Sequence, residues 1–201
     1  MTPFLTRRNF MLTAAAGALA LVLPKGALAL TESQAKSMVD SLVTEINRVI
    51  DSGKSQTAMY GDFERIFRKY GDLSYIAAYA LGADGRSATA AQKKAFTDAF
   101  TGYISRKYGK RFREFIGGKL EVRGVKAVKN YYEVPCTAIL RGKSPFTVTF
   151  HASDRTGKPL MFNMYIEGVN LLLTERTEIG AMLDKRRGNI DQMIADLKTA
   201  S

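Results

Sequence analysis

Tyr131-Tyr132-Glu133-Val134-Pro135-Cys136-Thr137-Ala138-Ile139-Leu140, then the turn signal Gly142-Lys143-Ser144-Pro145, then Phe146-Thr147-Val148-Thr149-Phe150-His151, reads as two extended segments joined tightly. Alternation with period two puts Phe146, Val148 and Phe150 on one face and Thr147, Thr149 and His151 on the other. Val134, Cys136, Ala138 and Leu140 form a similar apolar stripe. Connections this short force antiparallel pairing. Residues 120–128 and 160–166 also read as strands, with Asp154-Arg155-Thr156-Gly157-Lys158-Pro159 as a second turn, and Val169, Leu171 and Leu173 extend the predicted sheet.

Upstream of Gly117-Gly118 the period is helical. Thr31 and Gln34 read as a capping box opening a helix whose Ala35, Met38, Val39, Leu42, Val43, Ile46, Val49 and Ile50 share one face, ending near Gly53. Tyr60, Phe63, Ile66, Phe67 and Tyr70 mark a second helix, and Asp72 caps a third over 73–81. Thr89 and Gln92 repeat the capping box before a long helix with an aromatic face: Phe96, Phe100, Tyr103, Tyr108, Phe112 and Phe115, with Ile104 among them. After the strands, Thr174 or Asn189 can cap closing helices that bear Ile179, Met182 and Leu183, then Ile190, Met193, Ile194 and Leu197. The order predicts an α+β single domain: N-terminal helices packed on a curved antiparallel sheet of four to five strands, followed by C-terminal helices.

The first 29 residues carry an address. Arg7 and Arg8 precede an apolar run from Met11 to Leu23, Lys25 closes it, and Ala27-Leu28-Ala29 supplies a small-residue cleavage site. The run is about 13 residues, short of the roughly 20 needed to cross a bilayer. A cleaved signal peptide of the twin-arginine type is expected over 1–29, delivering residues 30–201 to the periplasm; a retained N-terminal anchor is the alternative. About 172 residues then suffice for one domain with a real core.

Loss of Arg7, Arg8 and Lys25 lowers the net charge of +11 by three, to +8. Nucleic acid, the common partner of such a charge, is not expected in the periplasm. The dense basic stretches at 106–113 and 185–187 are read as exposed, either steering the protein to acidic lipid or protein partners or forming an ordinary solvated helix face. Cys136 is the single cysteine, so no internal disulfide forms and it reads as a small buried hydrophobe. His151, the single histidine, excludes a multi-histidine metal site.

Catalytic motifs are missing. Gly53-Lys54-Ser55 and Gly142-Lys143-Ser144 echo a phosphate loop, but the glycine needed five residues earlier is Arg48 or Thr137. Tyr131, Tyr132, Tyr165, Asp154 and Glu167 supply residue types for acid-base chemistry on a cupped sheet, without a spacing that selects them. The excess is in aromatic and thioether side chains: Tyr75, Ile76 and Tyr79, the aromatic helix face, and Met161, Phe162, Met164 and Tyr165. These suit an ordinary core or a long apolar cavity alike.

Two stretches carry a resemblance. Ala80-Leu81-Gly82-Ala83-Asp84-Gly85-Arg86-Ser87-Ala88-Thr89-Ala90-Ala91-Gln92, leading to Phe96, Phe100 and Tyr108, and Tyr165-Ile166-Glu167-Gly168-Val169-Asn170-Leu171 followed by Arg176, resemble the MlaC family of periplasmic phospholipid-transport or toluene-tolerance proteins. Asn170 replaces the usual serine of that family. With the export signal and element order, the likeness covers nearly all of the mature chain.

The resemblance implies a monomeric lipid carrier, not an enzyme, with no cofactor or metal and with phospholipid as cargo. It implies shuttling between an outer-membrane lipoprotein complex and an inner-membrane ABC transporter with an MCE-domain subunit, in maintenance of outer-membrane lipid asymmetry. A hopanoid or other terpenoid carrier of the same family is the alternative. Tails are expected in an apolar cavity between helices and sheet. The helical wall would be Tyr75, Ile76, Tyr79, Phe96, Phe100, Tyr103 and Phe112. The sheet side would be Val134, Cys136, Ala138, Phe146, Val148, Phe150, Phe162, Met164 and Ile166, with Val169 and Leu171. Arg141, Lys143, Lys158, Glu167 and Arg176 are the expected headgroup or partner contacts.

Overall fold

Thr31 opens helix α1 (Glu32–Ile50) as its sequence signature requires: its hydroxyl accepts the Gln34 N–H at 3.2 Å and Gln34 Oε1 accepts the Thr31 N–H at 2.9 Å. This computed structural model describes residues 30–200, with the side chains of 111–113 excepted, so the expected signal over 1–29 lies outside the described residues. Ser55 caps α2 (Gln56–Tyr70) and Asp72 caps α3 (Leu73–Leu81). The second capping box, at Thr89 and Gln92, precedes α4 (Ala90–Phe112), and a 3-10 turn (Arg113–Phe115) carries the chain to the sheet.

The sheet is antiparallel and open, with β1 (Lys119–Val122), β3 (Tyr131–Ile139), β4 (Phe146–Ser153), β5 (Leu160–Ile166) and β6 (Val169–Asn170) side by side, and β2 (Lys126–Val128) also on β3. Among the described residues the sheet thus has six strands, where four to five were expected. The expected strand over 120–128 is two strands, and Pro135 accounts for the break. Val122 faces Cys136 and Lys126 faces Glu133, so one extra residue is taken up between them. The Pro135 carbonyl accepts the Arg123 N–H at 2.9 Å, but Pro135 has no N–H to return, and the ladder lapses there until Lys126.

A second correction concerns Leu171 and Leu173. They are not strand residues: α5 (Leu171–Lys185) begins at once after β6, because the Asn170 side chain accepts the Leu173 N–H at 3.1 Å. Thr174 is inside this helix rather than its cap, and its hydroxyl donates to the Asn170 carbonyl. Asn189 does cap α6 (Ile190–Leu197).

Two apolar clusters form. In the first, α1 packs on the inner sheet face, with α2 against α1, around Val134, Cys136, Ala138, Val148 and Phe150. In the second, α3, α4, α5 and α6 pack on one another around Phe96, Phe100, Ile179, Met193 and Leu197. Phe67, Met164 and Ile166 touch both.

Candidate functional site

Register aligns Ala138 with Phe146, Cys136 with Val148 and Ile166, and Val134 with Phe150 and Met164, so these side chains share the inner sheet face. Helix α1 lies over β1, β3 and part of β4. Beyond it, the β4–β5 side of the same face opens into a cavity of about 470 Å³ walled by Tyr108, Phe115, Leu120, Leu140, Phe146, Val148, Phe150, Met164 and Ile166. That volume is within the roughly 300–1,000 Å³ of ordinary small-molecule sites.

The cavity has a polar rim. Glu114, Lys143, Ser144 and Glu167 stand exposed around its mouth. Lys143 donates to Glu114 Oε2 at 2.6 Å, and just inside, the Phe115 and Phe146 rings meet edge to face at 6.0 Å. Both contacts tie the 3-10 turn to the β3–β4 turn. Gly118 makes this approach possible, since a Cβ there would come within 2.4 Å of the Ile139 carbonyl oxygen.

Tyr108 and Met164 also line a smaller chamber of about 50 Å³, walled by side chains that include Phe67, Ile76, Phe100, Ile104, Phe162 and Leu171. Glu175 lines it too. Lys107 Nζ donates to Glu175 Oε1 at 2.7 Å and to Glu178 Oε2 at 2.5 Å, the Tyr108 hydroxyl donates to Glu175 Oε1, and the Tyr103 hydroxyl donates to Glu178 at 2.7 Å. Burial, reinforced by Glu178, pushes the Tyr103 hydroxyl well above the usual phenol range, so it stays a proton donor.

With this geometry in place, the family assignment rests on one match: the family model described as MlaC protein fits residues 36–199. The chain belongs to the MlaC family. A solved structure of similar fold is the phospholipid-binding protein from Ralstonia solanacearum in complex with a phospholipid, at 17% identity and a TM-score of 0.65, covering 83% of this chain and 97% of that one.

In this MlaC-family chain the residues expected around the tails divide between several places. Phe146, Val148, Phe150, Met164 and Ile166 line the main cavity; Ile76, Phe100, Phe162, Met164 and Leu171 line the small chamber. Val134, Cys136 and Ala138 share the sheet face but pack beneath α1, each at most 1% exposed. Burial there pushes the Cys136 thiol up to about 12. Phe96 borders a separate surface groove between α3 and α4, Tyr79 lies under the Arg176 guanidinium, and Val169 is exposed. The Phe112 side chain lies outside the described residues.

Of the expected headgroup contacts, Lys143 and Glu167 are on the rim, and the Arg141 guanidinium rests against Gly117 nearby. Lys158 is in the β4–β5 turn at the opposite end of the sheet, and Arg176 packs on Gly82 and Tyr79. The expectation of an exposed basic stretch needs correction at Arg106 and Lys107, both half-buried, while Lys110 is exposed. Arg106 donates to the Leu197 and Ala200 carbonyls, closing the end of α6, and Lys107 serves the two glutamates.

Sequence reasoning did not single out Glu114, Leu120, Ser144 or Glu175. For Glu175 a signal existed: it occupies the buried stripe Leu172, Glu175, Ile179, Leu183, where a carboxylate interrupts an apolar helix face. On the outer sheet face Tyr131 and Tyr165 stack on either side of His151, with ring centroids at 4.9 and 4.8 Å. Both imidazole faces are thereby covered. Asp154, another acid-base candidate, accepts the Leu30 N–H at 2.7 Å and lines a shallow surface pocket with Tyr131.

Proposed function

We propose that this protein is a periplasmic phospholipid carrier without catalytic activity. The observation that carries the reading is the pocket beside α1 on the inner sheet face: an apolar cavity of about 470 Å³ with a charged rim. Such a site holds hydrocarbon inside and leaves a polar headgroup in water, where its charge need not be buried. Membership of the MlaC family and a similar fold that carries a phospholipid support the same reading.

The energetic need is clear. Each methylene moved from hydrocarbon into water costs about 0.8 kcal/mol, so two tails cost on the order of 20 kcal/mol and free lipid does not cross an aqueous gap unaided. The carrier would take lipid between an outer-membrane lipoprotein complex and an inner-membrane MCE-domain ABC transporter, as a monomer reaching the periplasm through its N-terminal signal. Headgroups would lie near Lys143, Ser144 and Glu167, with tails along Phe146, Val148, Phe150, Met164 and Ile166.

Mass spectrometry of organic extracts from protein purified without detergent tests this. Phospholipid at near-stoichiometric amounts is expected. Recovery of polycyclic terpenoid would move the assignment to the terpenoid branch, and lipid-free protein that also fails to take up added phospholipid would overturn it.

A further inference from the structure

Among the described residues, large apolar side chains stand exposed at three places: Ile116 at 53%, Val169 at 54% and Leu173 at 51%. Two of them flank the mouth of the main cavity. Ile116 follows directly on Phe115, a cavity wall, and precedes Gly117, against which the Arg141 guanidinium rests. Val169 pairs with Ile166, another wall, so its side chain is on the cavity face of the sheet, at the open edge formed by β6. The turn that presents it is fixed: Glu167 at φ 50° and Gly168 at φ 81° both take the left-handed conformation that a two-residue hairpin turn needs. Leu173 follows in the first turn of α5.

The charges between these flanks are of both signs. Lys143 and Glu114 pair with each other, whereas Arg141 and Glu167 have no ion-pair partner among the described residues. An apolar protein surface closing on this rim would strand both free charges away from water. A bilayer surface suits them, because its headgroup layer sets phosphates beside ammonium groups in water, with hydrocarbon directly beneath. We propose that the cavity rim docks on a phospholipid bilayer, with Ile116 and Val169 entering the boundary between headgroups and acyl chains and Arg141 meeting a headgroup phosphate. Docked in this way, the mouth opens onto hydrocarbon, and a tail passes into the cavity without crossing a layer of water. The proposal rests on the carrier reading above and adds the surface from which cargo is drawn.

Two lipid sources separate docking from binding. Protein-free vesicles of phosphatidylethanolamine and phosphatidylglycerol, carrying a self-quenched fluorescent phospholipid, report the rate at which delipidated protein draws lipid from a bilayer. Dihexanoyl phosphatidylcholine, which is monomeric in water, reports the cavity alone by calorimetry. The Ile116→Ser/Val169→Ser double variant is expected to take lipid from vesicles about tenfold more slowly than wild type, the loss of two apolar side chains from the interface, and to bind the short-chain lipid as wild type does. Ile116→Phe/Val169→Phe should be faster than wild type. Equal vesicle rates for all three proteins would overturn the docking surface while leaving the carrier reading intact, as would wild type that binds the short-chain lipid but draws nothing from vesicles. A dimer of the wild type that the serine variant does not form, seen in analytical ultracentrifugation, would assign the two side chains to a second copy of this chain instead. Wild type that binds neither lipid would sink both readings.

Discussion

Ala138 and Val148 lie on neighbouring strands with side chains on the same sheet face, yet they meet different surroundings. Ala138 is fully buried beneath α1, whereas Val148 faces the cavity. Ala138→Trp should overpack a closed interior and cost about 1–3 kcal/mol or more. Val148→Trp should instead fill open space, leaving the melting temperature of delipidated protein near the wild-type value while reducing co-purified lipid by more than half; equal destabilisation by both would remove the distinction. The apolar stripe was legible in the sequence because alternation marks it. Which part of the stripe is covered was not, since that depends on where α1 crosses the sheet, and no local period encodes a crossing. His151 gives a second residue-scale prediction. Burial between Tyr131 and Tyr165 holds its imidazole below the ordinary range, and Glu133 only partly opposes this. The unfolded chain takes up a proton near pH 6.5 while the folded state resists it. The contribution from neutral His151 is therefore complete above that pH and declines below it. Melting curves at about pH 7.5 and about pH 5.5 should show a drop for wild type that His151→Phe, which keeps the aromatic stack, makes smaller.

At the scale of elements, one side chain fastens α1 to the sheet. Asn47 Nδ2 donates to the Leu120 carbonyl and Asn47 Oδ1 accepts the Leu120 N–H, both at 3.0 Å, so the amide extends the ladder at the free edge of β1. Leu120 is also a cavity wall. Asn47→Ala should cost about 1–3 kcal/mol, lowering the melting temperature by about 2–4 °C for each kcal/mol in a domain of this size; an unchanged melting temperature would mean that apolar contacts alone hold the helix. Element boundaries were readable where a side chain writes them, as at Thr31, Asp72, Thr89 and Asn189. They were misread where a local cap overrides a strand-like pattern. Val169, Leu171 and Leu173 alternate as a strand would, but Asn170 between them caps α5 and ends β6 after two residues. Likewise Pro135 breaks the pairing of its neighbour rather than its own strand, an effect visible only once the partner is known.

For the whole molecule, the first question is delivery. If the twin-arginine pair is read during export, Arg7→Lys/Arg8→Lys should retain precursor in the cytoplasm, whereas wild type should yield a mature N-terminus at Leu30; equal secretion of both forms, followed by cell fractionation and N-terminal analysis, would exclude dependence on the pair. Among the described residues no helix is long and apolar enough to cross a membrane. The cavity on the inner sheet face then has a consequence for the proposed carrier in its empty state. Loading removes apolar surface from water and should appear as a negative heat-capacity change in calorimetry. Unloading returns that surface to solvent, so the empty form is the one exposed to self-association. In the proposed carrier, cargo completes the protein's own interior, and the hazard of sticking to a second copy falls on the molecule that has just released its lipid.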